Sequence, residues 1–156
     1  MLPSRGPLSQ PENLSVIAKR GEELGYSFMM FPDHIVMPRD VSSRYPYTNS
    51  GVFPGTDTGE TMEQLTTLAF LAGQTSTIRL VTSVMVVPHR SPVATAKVLS
   101  TLDILSRGRL TVGVGTGWQR EEYEASGIPF AGRGTRLEDQ MRACKLLWRD
   151  APASFQ

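Results

Sequence analysis

Asp33 and His34 stand side by side directly after the apolar run Tyr26–Phe31 and Pro32. An imidazole titrates near neutrality, and a carboxylate beside it can orient the ring, so the pair suits donation or abstraction of a proton. The competing reading is an Asp that caps the loop and a partly exposed His. Further along, Thr116-Gly117-Trp118 closes the run LTVGVG. There a glycine would let backbone approach a planar group, and Thr116 would offer a hydroxyl to its polar edge. Trp118 would either wall an apolar substrate pocket or pack in the core. Thr82 and Ser83 interrupt a third apolar run just before Val84.

Other chemistry-bearing residues carry plainer readings. His89 and Arg90 could reach an anion, or belong to a solvated turn. Glu121, Glu122 and Glu124 read as the wet face of a short helix with Tyr123 turned inward. Cys144 falls at a helical core spacing and reads as a small apolar residue.

The glycines Gly113, Gly115 and Gly117 look at first like a nucleotide-binding turn. A dinucleotide fingerprint needs Gly at the sixth position, and counting from Gly113 gives Trp118, from Gly115 Arg120. No Gly-Lys-Ser/Thr follows either, so a phosphate loop of that type is excluded. Close strand packing and a tight turn remain the simple explanation. A single cysteine and two histidines leave no Cys/His cluster for zinc and no intramolecular disulfide. Sixteen Lys and Arg against fifteen Asp and Glu give a net charge of +1, with no basic run long enough to follow a nucleic acid. No apolar run approaches the ~20 residues that span a bilayer, and the N-terminus lacks a signal core, so a cytoplasmic protein is expected.

These residues must be positioned by elements that the spacing of apolar side chains predicts. Pro11 opens a helix that ends near Gly25, with Leu14, Ile17 or Ala18, Gly21 and Leu24 on one stripe. YSFMMF (26–31) reads as a short buried strand, and residues 33–58 as a long loop rich in Pro, Ser, Gly and Tyr. A second helix is expected over 60–73, burying Leu65, Leu68, Ala69 and Ala72, and a β-branched strand over 78–87. Pro92 starts a third helix with Ala94, Val98, Leu102 and Leu105 on its stripe and Gly108 as its cap. LTVGVG is the third strand. A short helix over 119–126 precedes a last one over 134–149, which aligns Leu137, Met141, Cys144 and Leu147 or Trp148. This alternation is the pattern of parallel βα units with right-handed crossovers, so the fold class is α/β in one domain over residues 1–156.

The phrases RGRLTVGVGTGWQREEYEASG, FPDHIVMP, LTTLAFLAGQTSTIRLVTSVMVVPHRSPVATAKVLSTLDILS and LLWRDAPASFQ closely resemble the bacterial luciferase-like superfamily, nearest its deazaflavin (coenzyme F-420)-dependent oxidoreductases. The resemblance implies a TIM-type (β/α) barrel. At 156 residues the chain matches only the N-terminal half, because a full barrel takes about 200 residues or more. An incomplete half-barrel, truncated relative to the family, is therefore expected, with a first strand reduced to Met1 and Leu2.

The resemblance further implies an oxidoreductase that transfers hydride or monooxygenates a small-molecule substrate. Its cofactor would be coenzyme F-420, with flavin mononucleotide (FMN) as the alternative. His34 would be the catalytic group beside the cofactor ring. Asp33, Ser83, Val84, Thr116 and Gly117 would bind the cofactor, with a non-prolyl cis peptide at Ser83-Val84. Trp118 would contact substrate, in the place where some deazaflavin-dependent dehydrogenases carry an acidic Glu, which argues against their sugar-phosphate chemistry. No metal site is implied. The alternative is a non-catalytic half-barrel that self-associates through its exposed faces or binds a partner.

Overall fold

The computed structural model describes residues 1–54, 59–150 and 154. The loop expected over 33–58 is without helix or strand as far as residue 54, and residues 55–58 lie outside the described residues, as does most of the tail after Asp150. Three strands form one parallel sheet in the order β1 (Phe28–Phe31), β2 (Arg79–Val86), β3 (Leu110–Gly115). Helices α1 (Pro11–Glu23), α2 (Gln64–Ala72), α3 (Pro92–Leu105), α4 (Arg120–Ala125) and α5 (Arg133–Arg149) alternate with or follow them. This is the expected α/β class, with an open sheet.

The core lies between the sheet and α1, α2 and α3. Leu14 and Ala18, Leu68 and Leu71, and Leu99 and Leu102 pack against Phe31, Leu80 and Met85. The alternation of strand side chains explains which residues face inward. On β2, Leu80 and Thr82 are buried, the phase slips at Ser83 and Val84, and Met85 is buried again. The register accounts for the slip: Thr82 pairs with Val112 and Met85 with Val114, so β2 takes three steps where β3 takes two. That is a β-bulge, which re-aims the side chains of the bulged strand. β3 can close on the bulge only because it carries glycines. A Cβ on Gly113 would come within 2.5 Å of the Thr82 carbonyl oxygen, and one on Gly115 within 2.6 Å of a Val84 methyl.

Several boundaries and stripes differ from expectation. YSFMMF is not wholly buried: the strand begins at Phe28, which is 53 % exposed on the sheet face that α1 to α3 do not cover. Helix α2 starts at Gln64 because Glu63, in extended conformation, caps it by accepting from the Thr66 amide (2.7 Å). In α3 the buried set is Thr95, Ala96, Leu99 and Leu102, whereas Ala94, Val98 and Leu105 are exposed. Both stripes of that helix are apolar enough to qualify, and packing selects the other one. Leu24 is exposed, as are Leu147 and Trp148 at the end of α5, whose buried residues are Ala143 and Cys144.

The end of the sheet away from the candidate site is tied together by Arg109. Its guanidinium donates to the carbonyls of Ala72 (2.9 Å), Thr75 (3.0 Å), Ile78 (2.9 Å) and Ser106 (2.7 Å) and to the Thr75 hydroxyl (2.9 Å). Carbonyls just past the ends of α2 and α3 are thereby satisfied by a cation, the sign their dipoles favour. Gly108, with φ +77°, makes the turn that delivers Arg109 into this position.

Candidate functional site

The C-terminal ends of the three strands and the loops after them surround a cavity of about 770 Å³. Asp33, His34, Ser83, Val84, Thr116, Gly117 and Trp118 all border it. The residues expected at the site therefore gather at one end of the sheet, while their side-chain partnerships differ from those expected.

Asp33 does not orient His34. It is buried, and its carboxylate accepts from both Arg90 Nη1 (2.7 Å) and Arg90 Nη2 (2.8 Å) and from the Val86 amide (2.7 Å). Such a two-pronged, charge-assisted contact fixes the end of β1 to the end of β2. Arg90 also donates to Glu63 (3.0 Å), so it is neither a solvated turn residue nor a free anion ligand. Burial works against its charge, but Asp33 and Glu63 outweigh it and hold the guanidinium above its usual range.

The carboxylate that meets His34 is Glu122, from the first turn of α4. Its Oε2 lies 3.2 Å from His34 Nδ1, while Oε1 accepts from the Ile35 amide (2.6 Å) and, more distantly, the Val36 amide (3.4 Å). Glu122 is buried, not on a wet face. Burial raises its pKa, yet the His34 contact and the Ile35 amide prevail and leave it below the ordinary carboxylate range. With an ionised carboxylate at Nδ1, that nitrogen carries the proton, and Nε2 is the lone-pair nitrogen of the neutral ring. Nε2 has no partner among the described residues.

The neighbouring Glu121 grips the same loop farther on. It accepts from the Ser42 amide (2.8 Å), the Ser42 hydroxyl (2.7 Å) and the Ser43 amide (2.9 Å), and Ser43 Oγ accepts in turn from the Arg120 amide (3.1 Å). Burial opposes its ionisation, but these donors bring its pKa from 4.5 to about 2. Two adjacent glutamates thus pin the loop after β1 to the helix after β3. Sequence reasoning missed both, reading Glu121 and Glu122 as the wet face of a short helix, whereas Glu122 is buried.

Tyr123 is turned inward as expected. Its hydroxyl donates to the Thr116 carbonyl (2.5 Å), and burial pushes its pKa up to about 12. His89 is buried against it, ring centroids 4.2 Å apart, with neither ring nitrogen hydrogen-bonded among the described residues. Burial pushes the His89 pKa down, ahead of the opposing pull of Glu122 and Asp33. Cys144 is buried and unpaired, and burial raises its thiol pKa, as suits a core residue.

The cavity floor is the bulge. The Ser83–Val84 peptide is cis, Val84 projects toward Gly115, and the hydroxyls of Ser83 and Thr116 have no partner among the described residues. Gly117, at φ +69°, packs so closely on Val86 that a Cβ would meet its methyl at 2.9 Å. Opposite stand aromatic rings: Trp118 lies 5.0 Å from Tyr45 and 5.6 Å from Phe53, and Phe53 lies 5.1 Å from His34. Trp118 therefore walls the cavity rather than filling the core. No cluster of three or more potential metal ligands occurs among the described residues, and none of their helices is long and apolar enough to cross a membrane.

Known proteins resemble this chain in sequence and fold. An uncharacterised protein of Mycobacterium tuberculosis is 32 % identical over 138 residues, 88 % of this chain and 49 % of its own length. An F420-dependent glucose-6-phosphate dehydrogenase of Kineococcus radiotolerans is 29 % identical over 150 residues, covering 94 % of this chain and 40 % of the relative. Among solved structures, the oxygenating constituent of 3,6-diketocamphane monooxygenase from Pseudomonas putida, in complex with FMN, superposes with a TM-score of 0.68. It is 18 % identical and covers 95 % of this chain and 36 % of that one, a likeness of fold. The chain spans about half the length of the curated relatives it matches. The luciferase-like monooxygenase family model matches residues 3–156, and the chain belongs to that family.

Proposed function

We propose that this chain carries the chemistry-bearing half of an oxidoreductase site, in which a deazaflavin or flavin ring lies over the Ser83–Val84 bulge with His34 as the proton-transferring group. The observation that carries the reading is the His34–Glu122 pair set on a cavity whose floor is backbone and unpartnered hydroxyls. A cavity of this size is in the range that holds a tricyclic ring. The donor set fits such a ring: the Ser83 and Thr116 hydroxyls can meet its polar edge, and Gly117 keeps the backbone near without a side chain. When bound, the group supplies hydride transfer or, with dioxygen, oxygenation of substrate. The protein's own residues do the rest. Glu122 fixes the His34 ring and its tautomer, His34 Nε2 holds or releases a proton, and the loop pinned by Glu121 limits water access.

Coenzyme F-420 is the preferred group, supported by the deazaflavin-dependent relative, with FMN the alternative, supported by the FMN-bound structural neighbour. Equilibrium binding of each to the purified chain, followed by fluorescence, tests this. One cofactor should bind, and His34→Ala should weaken it about tenfold through loss of a ring contact and a hydrogen bond. Binding of neither would remove the cofactor assignment.

A second reading is a half-barrel that works by association with another copy of itself. One observation favours it: the outer edge of β3 has no strand partner among the described residues, and Ile104, Leu147 and Trp148 beside it are exposed.

A further inference from the structure

Phe53, Tyr45, Tyr47 and Trp118 come from two different loops and converge on one side of the cavity, facing the bulge. Their mutual contacts are edge-to-face or tilted, at 74° for Tyr45 and Tyr47, 62° for Tyr45 and Trp118, and 49° for Phe53 and Trp118. Rings meeting at such angles build a wall rather than a closed stack, and the wall suits another aromatic ring, which gains from edge and face contacts together. The charged groups of the lining are already engaged, though Arg5 has no acidic partner among the described residues. Asp33 is held by Arg90, Glu122 by His34, and Arg5 lies over the Phe53 ring (5.6 Å) while donating to the Pro54 carbonyl (2.9 Å). Several polar atoms at the wall are without a partner among the described residues, the Tyr45 and Tyr47 hydroxyls and the Trp118 N–H included, but His34 Nε2 is the one that in the neutral ring can only accept, and the His34 ring itself touches Phe53.

We propose that the substrate site of this chain takes an uncharged planar phenol, its ring against Phe53 and Trp118 and its hydroxyl donating to His34 Nε2. The proposal rests on the reading of this cavity as the catalytic site, and it names the substrate class for it. An aliphatic chain would leave the ring faces without their best partner, and a phosphorylated sugar would find a single lining guanidinium, Arg5, already set over Phe53 and bonded to the Pro54 carbonyl.

The test is calorimetric titration of the purified chain with 2-naphthol, 2-methoxynaphthalene, decanal and glucose 6-phosphate, each with and without FMN or coenzyme F-420. The naphthol should bind at least about tenfold more tightly than decanal or the sugar phosphate, and about fivefold or more tightly than its methyl ether, which cannot donate. Trp118→Leu should weaken naphthol binding about tenfold. Tyr47→Ala, at a residue 79 % exposed and so without consequence for folding, should weaken it about twofold to threefold. Tighter binding of decanal or glucose 6-phosphate, equal binding of naphthol and its ether, or indifference to both substitutions would overturn the proposal. So would absence of naphthol binding while a cofactor binds. Naphthol binding without binding of either cofactor would sustain the aromatic site and remove the cofactor assignment instead; no binding of any compound would remove both.

Discussion

Glu122 uses its two oxygens for two different tasks, one on the His34 ring and one on the backbone just beyond it. An exchange of one atom separates the tasks. In Glu122→Gln the amide oxygen can still accept from Ile35, but the amide nitrogen facing Nδ1 is a donor, so the stable His34 tautomer becomes the one protonated at Nε2. Nitrogen chemical shifts of the His34 ring should therefore exchange between Nδ1 and Nε2 in the variant, while the fold survives. Identical ring shifts in both proteins would mean that Glu122 is only an anchor for the loop. Glu122→Ala should lose both contacts and cost about 1–3 kcal/mol, because the Ile35 amide is left without its acceptor. At this scale the sequence was half legible. His34 was identifiable from its residue type and its place after a strand. Its partner was not, because Asp33 is adjacent in sequence but, past the strand end, consecutive side chains diverge, and Asp33 turns to Arg90 instead. The partner actually used is 88 positions away.

Elements are held to one another by carboxylates that accept from backbone, and Glu22 is the clearest example outside the candidate site. From the last turn of α1 it accepts from the amides of Ser76 (2.9 Å), Thr77 and Ile78 (2.8 Å) and from the Thr77 hydroxyl (2.9 Å), binding α1 to the turn between α2 and β2. Burial, the largest single influence, raises its pKa, but the donors together prevail and bring it from 4.5 to about 2. A folded-state pKa below the unfolded one means that the contribution to stability is complete above the unfolded value and is lost as pH falls toward the folded one. Urea midpoints of the chain and of Glu22→Gln should thus differ most near neutrality and converge as pH falls from about 5 to about 2. A gap that stayed constant over that window would show that the ionised form of Glu22 is not what joins these elements. The order of elements was readable because helix and strand periods differ. The choice of buried stripe on α3 was not, since Ala94, Val98 and Leu105 are as apolar as the residues that packing in fact covers.

The whole molecule is an open parallel sheet with helices against one face, whereas parallel sheets are ordinarily covered on both. Phe28, Val84 and Val114 are exposed on its strands, and period alone could not reveal this, because YSFMMF reads as a short buried strand and IRLVTSVMVV as a β-branched one. The two sheet edges are not equivalent. Along β1 the chain covers its own edge, the Leu2 amide donating to the Met30 carbonyl (2.8 Å), while β3 offers an unpaired ladder flanked by Ile104, 76 % exposed, and Trp148, 44 % exposed. An edge with an apolar margin is a template for pairing with another strand, and a second copy brings the same strip, so contact about a two-fold axis is self-complementary. Light scattering of the purified chain should then give a concentration-dependent mass rising toward twice 17.2 kDa. Replacing both Ile104 and Leu147 by Lys should return it to the single-chain mass, since like charges would face each other across the axis and both residues are exposed. A single-chain mass at every concentration would remove the self-association reading. A dimer that also bound cofactor would join the two readings, with the site built in each half and its stability supplied by the pair.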